Sequence, residues 1–117
     1  MEPEFTNSMS LLEFAQTGHL YQKLIAQLGK DFKMANIHLD ISEDMDPDEL
    51  VETVREKIYF LLMEQFPKYV NLLYVVDVSE TDVSDVAGSD AVEIADEVCF
   101  LVLKRVWNKV LLREKYS

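Results

Sequence analysis

Turn-forming residues are scarce in this sequence of 117 residues, which contains only three glycines and three prolines. A β-rich domain needs many tight turns, and glycine and proline are among the residues that most often form them. Leucine, glutamate, lysine and methionine, which favour helices, are frequent. The composition therefore predicts an all-α fold: a compact bundle of four to five helices, in the single domain that a chain of this length normally forms.

Cysteine is almost absent, since Cys99 is the only one, and an intramolecular disulfide is therefore excluded. Together with the lack of a recognisable secretory signal, this predicts a reducing, cytoplasmic setting. A reactive thiol needs a pKa lowered by nearby positive charge or a helix N-terminus. Cys99 instead lies between acids and apolar residues, which indicates a buried structural thiol.

Basic residues are outnumbered two to one, with 11 Lys and Arg against 22 Asp and Glu, giving a net charge of −11. This balance argues against binding nucleic acid through its phosphates, and against an anionic membrane surface. Uninterrupted apolar runs are far shorter than the ~20 residues of a membrane-spanning helix. We therefore expect neither nucleic acid nor membrane as a partner, whereas a basic protein would be attracted.

The charge is distributed unevenly along the C-terminal third. Residues 77–97 hold eight acids and no base, 98–103 are apolar, and 104–115 hold five bases against Glu114 alone. Acids near the N-terminus and bases near the C-terminus stabilise a helix through its macrodipole. This order predicts one long helix over 90–114 with Ser89 as its N-cap.

Four further segments have helical patterns. Residues 10–16 are predicted to be helical, because a capping box begins at Ser10 and Gly18 follows as a helix terminator. Residues 19–35 carry apolar residues at helical spacing. Asp46 and Pro47 open a helix over 47–66. Residues 68–76 are apolar on nearly every side, which fits a buried helix or a buried strand, and their composition favours a helix.

A further helix start, with Ser79 as its cap, is also predicted. Residues 36–46 are predicted to connect helices, and 1–9 to be an expression-tag remnant or a disordered N-terminus preceding a helical domain over 10–117.

Motifs for metal binding and catalysis are incomplete. Asp44, Asp46 and Asp48 alternate as in a calcium loop, but the sixth position is Glu49 instead of glycine and the twelfth is Arg55 instead of glutamate. Neither histidine follows a glutamate at the spacing of a di-metal carboxylate site. A phosphate-binding glycine loop and a nucleophilic triad are also missing. We therefore predict no catalytic residue, no metal and no cofactor.

Two segments, 58–62 and 98–103, are apolar around most of the helix. Such a helix must be central in a domain or covered by a partner chain, and four to five helices offer limited cover. This predicts a homodimer whose interaction surface includes the last helix at Phe100, Leu103 and Trp107. The function favoured on these grounds is a small acidic, non-enzymatic protein-interaction module.

Two other functions remain open at this point. The aromatic residues Tyr59, Tyr69 and Tyr74 would suit a small-ligand pocket if the fold brings them together with polar groups. Alternatively, acids from 40–56 and 77–97 in one exposed stripe would suit a mimic that inhibits a basic nucleic-acid-binding protein.

A resemblance covers most of residues 10–117. The segment 69–80, containing Asn71-Leu72-Leu73-Tyr74 and Asp77-Val78-Ser79-Glu80, resembles a group of small bacterial helical proteins with no assigned activity. These proteins also have a following acidic stretch and a last helix similar to 103–110. The resemblance implies a bacterial cytoplasmic protein and supplies no catalytic residues.

Overall fold

The computed structural model describes residues 5–84 and 90–116, and these residues form helices and connecting segments without a strand. The predicted all-α bundle is therefore confirmed. The single-turn helix α5 comes in addition to five longer helices. In chain order the helices are α1 Ser8–Thr17, α2 Tyr21–Met34, α3 Pro47–Glu64, α4 Phe66–Val76, α5 Glu80–Ser84 and α6 Ala91–Tyr116.

The helix boundaries follow from local backbone chemistry. Helix α1 begins two residues before the predicted start, because the side chain of Asn7 accepts a hydrogen bond from the Ser10 amide at 2.9 Å and caps the helix there. Gly18 ends α1 as predicted. Helices α3 and α4 are separated by Gln65 alone, and Pro67 lies in the first turn of α4. Because proline has no amide hydrogen, α3 stops and a new helix begins.

The start of α3 also fits the prediction, with Asp46 at the N-cap position and Pro47 in the first turn. Residues 68–76 are helical, which decides between the two predicted conformations. The predicted cap Ser89 lies outside the described residues. At the start of α6 the Asp90 carboxylate accepts a hydrogen bond from the Glu93 amide at 2.8 Å.

Helix α6 lies at the centre of the bundle and packs against each of the other five helices. It runs antiparallel to α3: the Cys99 thiol donates a weak hydrogen bond to the Val51 carbonyl at 3.9 Å, and Arg55 pairs with Asp96 at 3.7 Å. The apolar stretch 98–103 is therefore covered largely by its own chain. The residues that α6 contributes to the core are Ala95, Val98, Cys99, Val102, Leu103, Val106, Trp107 and Val110.

The long connector between α2 and α3 is fastened to the bundle by Tyr21. The buried Tyr21 hydroxyl donates a hydrogen bond to the Met45 carbonyl at 2.6 Å. Burial, followed by the nearby carboxylates of Asp46, Asp48 and Glu49, raises the pKa of Tyr21 to about 12. The contact fixes the point at which the chain enters α3.

Three helix ends carry a non-glycine residue in the left-handed region, namely His19, Asn36 and Asp77 with φ of 60°, 61° and 71°. Such residues are strained by about 1 kcal/mol relative to glycine, and Asn, Asp and His tolerate the conformation best. Asp77 ends α4 and is held by Arg105 of α6, which donates to both its carbonyl and its carboxylate at 3.1 Å. This contact positions the end of α4 against α6.

Candidate interaction surface

The outward side of α3 changes character along its length. Glu52, Glu56, Tyr59 and Met63 follow one another at spacings of four, three and four, and all four are exposed. Residues at these spacings form one stripe along a helix. The stripe is acidic over its first half and apolar over its second. The opposite stripe, which includes Leu50, Val54, Ile58 and Leu61, is buried in the core.

Helix α4 also has two apolar sides. Tyr69, Leu72 and Val76 are buried against the bundle. Phe66, Val70 and Tyr74, each four residues apart, are 55%, 49% and 83% exposed. A helix with a second, solvent-facing apolar stripe departs from the amphipathic pattern of a surface helix in a monomer. This departure makes α4 a candidate contact element.

We call the exposed apolar side chains of the two helices the α3–α4 face; they are Tyr59, Phe60, Met63, Phe66, Val70 and Tyr74. They comprise most of the large apolar side chains that are exposed in the described part of the chain. Since an aromatic side chain has about 150–250 Å² of surface, the six expose on the order of 600 Å². Because this exposed apolar area is concentrated on two consecutive helices, it is a candidate interaction site.

Charge is nearly balanced on this part of the protein. Residues 57–76 contain Lys57 and Lys68 against Glu64, a net charge of +1 in a chain of −11. The ammonium of Lys57 lies 5.8 Å from the ring centre of Phe60, so this lysine covers part of an exposed aromatic ring. The α3–α4 face therefore lies on a segment with little of the negative charge that dominates the rest of the chain.

A groove of about 540 Å³ adjoins the face where α4 meets α5. Tyr74 stands at its edge, Asp77 and Ser79 supply polar groups, and the other lining residues are Val70, Leu73, Val78 and Val83. An apolar cavity of about 150 Å³ is enough to admit benzene. The groove is thus large enough to receive an aromatic side chain.

The structure places the predicted interaction residues of α6 mainly inside the monomer. Leu103 is fully buried, and Trp107 is 3% exposed with its ring 6.2 Å from that of Phe14, edge to face. Phe100 is half-buried, and Lys104 covers its ring. Leu103 and Trp107 therefore offer no contact surface in the folded monomer, because α6 is surrounded by its own chain.

The three tyrosines proposed for a ligand pocket occupy different environments. Tyr69 is buried with its ring 5.6 Å from that of Phe66, and burial raises its pKa. Tyr59 is 38% exposed on α3, and Tyr74 is almost fully exposed beside the groove. The groove is lined by Tyr74 but by neither of the others.

The acidic residues of 40–56 and of 77–97 lie next to each other only in part. Arg55 joins α3 to α6 through Asp96, so the exposed carboxylates of Glu52 and Glu56 lie on the helix next to those of Glu93 and Glu97. Asp85, in the middle of the acidic stretch 77–97, lies outside the described residues. The described residues therefore join the acids of 40–56 and 77–97 only where α3 lies beside the start of α6.

A buried ionic network joins α2 to α6 on another side of the bundle. Lys109 donates to one carboxylate oxygen of Asp31 at 2.7 Å, and the Gln27 amide donates to the other at 2.9 Å. The amide oxygen of Gln27 lacks a hydrogen-bond partner among the described residues. A shallow cleft above this network has Lys23, Lys30, Arg113 and Glu114 on its rim, with Lys23 paired to Glu114. The network ties the two helices together with side chains that are mostly withdrawn from solvent.

Groups that often carry chemistry have structural surroundings. Burial raises the pKa of the Cys99 thiol to about 12, so the thiol is protonated at neutral pH and is a poor nucleophile. His19 and His38 are exposed in the segments before and after α2. Within 5–84 and 90–116, no group of three or more His, Cys, Asp or Glu is arranged to hold a metal ion. None of the helices described is both long and apolar enough to cross a bilayer.

No protein-family model matches the chain, and neither a curated protein nor a solved structure is significantly similar to it.

Proposed function

We propose that this protein is a small, acidic, non-enzymatic interaction module that binds another protein chain through the α3–α4 face. The observation that carries the proposal is the second apolar stripe of α4, Phe66, Val70 and Tyr74, which is exposed although the core beneath the helix is already filled by Tyr69, Leu72 and Val76. Water contact with such a stripe is unfavourable by about 25 cal/mol per Å². A partner that covers the stripe removes this cost.

The composition of the face supports the same conclusion. Protein interfaces are enriched in Tyr, Phe and Met at their centres, and charged residues are depleted there. The α3–α4 face consists of two tyrosines, two phenylalanines, one methionine and one valine, with Lys57 and Lys68 at its margin. The predicted self-association of the chain would cover this face. A bacterial cytoplasmic setting, which the resemblance and the single buried thiol of Cys99 support, is part of the proposal.

The test is photo-crosslinking inside cells that make the full chain. A photoreactive phenylalanine analogue is placed at Tyr74, and in a control protein at Tyr116, which is 77% exposed in the last turn of α6. We expect discrete adducts from position 74 and only diffuse background from position 116. Equal adduct patterns from both positions would show that the α3–α4 face is ordinary surface, and the proposal would fail.

A further inference from the structure

We infer that the partner of the α3–α4 face is a second copy of this chain, with Tyr74 of each copy seated in the α4–α5 groove of the other. This inference rests on the proposed function and identifies its partner. Three observations support it. The exposed Tyr74 lies beside a groove, the charge of the face is nearly balanced, and the exposed apolar area of the face approaches the area that a stable dimer interface buries on each copy.

The first observation is the shape of the face. Tyr74 projects into solvent with 83% exposure, and the apolar groove of about 540 Å³ begins beside it. A two-fold interface is self-complementary, so the same surface must supply both the projecting side chain and the pocket that receives it. Tyr74 and its groove meet this requirement on a single copy. Asp77 and Ser79 at the groove lining offer acceptors for the phenol hydroxyl of the incoming tyrosine.

The second observation is charge. Two copies of a chain with a charge of −11 repel each other unless they meet where the charge is low. Residues 57–76 carry a net charge of +1, so the remaining residues carry −12. Docking through the α3–α4 face brings the nearly neutral segments 57–76 together, and the one charged residue of the groove lining, Asp77, is paired with Arg105 of its own chain at 3.1 Å. A strongly basic partner would instead encounter Lys57 and Lys68 at this face and find its complementary charge elsewhere.

The third observation is area. A stable interface buries about 800 Å² on each partner. The six apolar side chains supply on the order of 600 Å², and the groove lining extends this surface. A face of this size is sufficient for the centre of a dimer interface, with Lys57, Lys68 and Glu64 at its polar rim.

The experiment is sedimentation equilibrium of the purified full chain, with Tyr74→Ala as the variant and Tyr116→Ala as its matched control. Both tyrosines are largely exposed, so neither change disturbs the core of the monomer, and circular dichroism verifies this. We expect the wild type to dimerise at micromolar concentration. Tyr74→Ala is expected to weaken dimerisation at least about 30-fold, the effect of a hot-spot residue, whereas Tyr116→Ala leaves it unchanged. High salt is expected to leave the dimer intact, because its interface is mainly apolar.

Crosslinking of the purified protein tests the geometry. The photoreactive analogue at position 74 is expected to form an adduct of twice the chain mass, joined to residues that line the groove, such as Val78 or Val83. A wild-type chain that stays monomeric at high micromolar concentration would overturn the inference, as would a dimer unaffected by Tyr74→Ala. If position 74 then still forms adducts with a different protein in cells, the proposed function survives and the second copy is the wrong partner.

Discussion

Replacing Lys109 with methionine is expected to destabilise the fold by about 2–4 kcal/mol, because the carboxylate of Asp31 would stay buried without its cation. The two groups are 2.7 Å apart and join α2 to α6, with side-chain exposures of 21% for Lys109 and 4% for Asp31. Breaking a fully buried pair costs about 3–5 kcal/mol. Water reaches Lys109 in part, which lowers the expected cost.

A double-mutant cycle separates the buried charge from the packing of the lysine stem. Asp31→Asn removes the charge but keeps an acceptor for the Gln27 amide, which donates to Asp31 at 2.9 Å. On the Asp31→Asn background, Lys109→Met is expected to cost less than about 1 kcal/mol, because no uncompensated carboxylate remains.

The assay is urea unfolding followed by circular dichroism, with the free energy extrapolated to water. Lys104→Met is the control, since Lys104 is an exposed lysine on the same helix and its loss is expected to cost no more than about 0.5 kcal/mol. If Lys109→Met and Lys104→Met prove equally mild, water screens the pair and the reasoning is refuted.

Three further changes test other parts of the structure. Leu103→Ala is expected to lower the free energy of unfolding by about 2–5 kcal/mol, since Leu103 is fully buried, while dimerisation of the folded fraction stays unchanged; selective loss of the dimer in sedimentation would contradict this. Because the pKa of Tyr21 is raised from 10.0 to about 12, the part of the stability linked to Tyr21 is fully present below pH 10 and is lost as the pH rises from 10 to 12. Urea midpoints of Tyr21→Phe should therefore decline less than those of wild type across that window, the remaining decline coming from the buried Cys99 and Tyr69, whose pKa values are also raised. Asn36→Gly should raise the thermal midpoint, with a gain in stability of up to about 1 kcal/mol, because Asn36 has a φ of 61°; a lower midpoint would show that its side chain compensates the strain.

Most of the fold follows from short sequence signals whose physical basis is local. Gly18, the pair Asp46 and Pro47, and Pro67 each mark a helix boundary that the structure shows. The start of α1 was misplaced, because both Asn7 and Ser10 are good caps and only the hydrogen bond between them shows which one acts. The acidic-to-basic order of the C-terminal third predicted α6 almost to its ends.

The exposed apolar stripes of α3 and α4 are harder to predict, because periodicity shows which residues share a stripe but not which stripes are covered by other helices. The apolar half of the α3 stripe, Tyr59 and Met63 following Glu52 and Glu56, was present in the sequence as a signal for an exposed apolar patch. On α4 no such signal exists, since 68–76 is apolar on nearly all sides. Only packing determines that Tyr69 and Leu72 are buried while Tyr74 is exposed.

The position of α6 explains why the surplus apolar surface lies elsewhere. Four or five helices are too few for one chain to cover both 58–62 and 98–103 if both are apolar on all sides. Five helices surround α6, so 98–103 is largely covered. Residues 5–84 and 90–116 supply no further helix to cover the outer sides of α3 and α4, which remain exposed at Phe60, Met63 and Val70. The shortage of cover that predicted an interface on the last helix therefore leaves apolar side chains exposed mainly on α3 and α4 in the described part of the chain, which is why the proposed interface lies there.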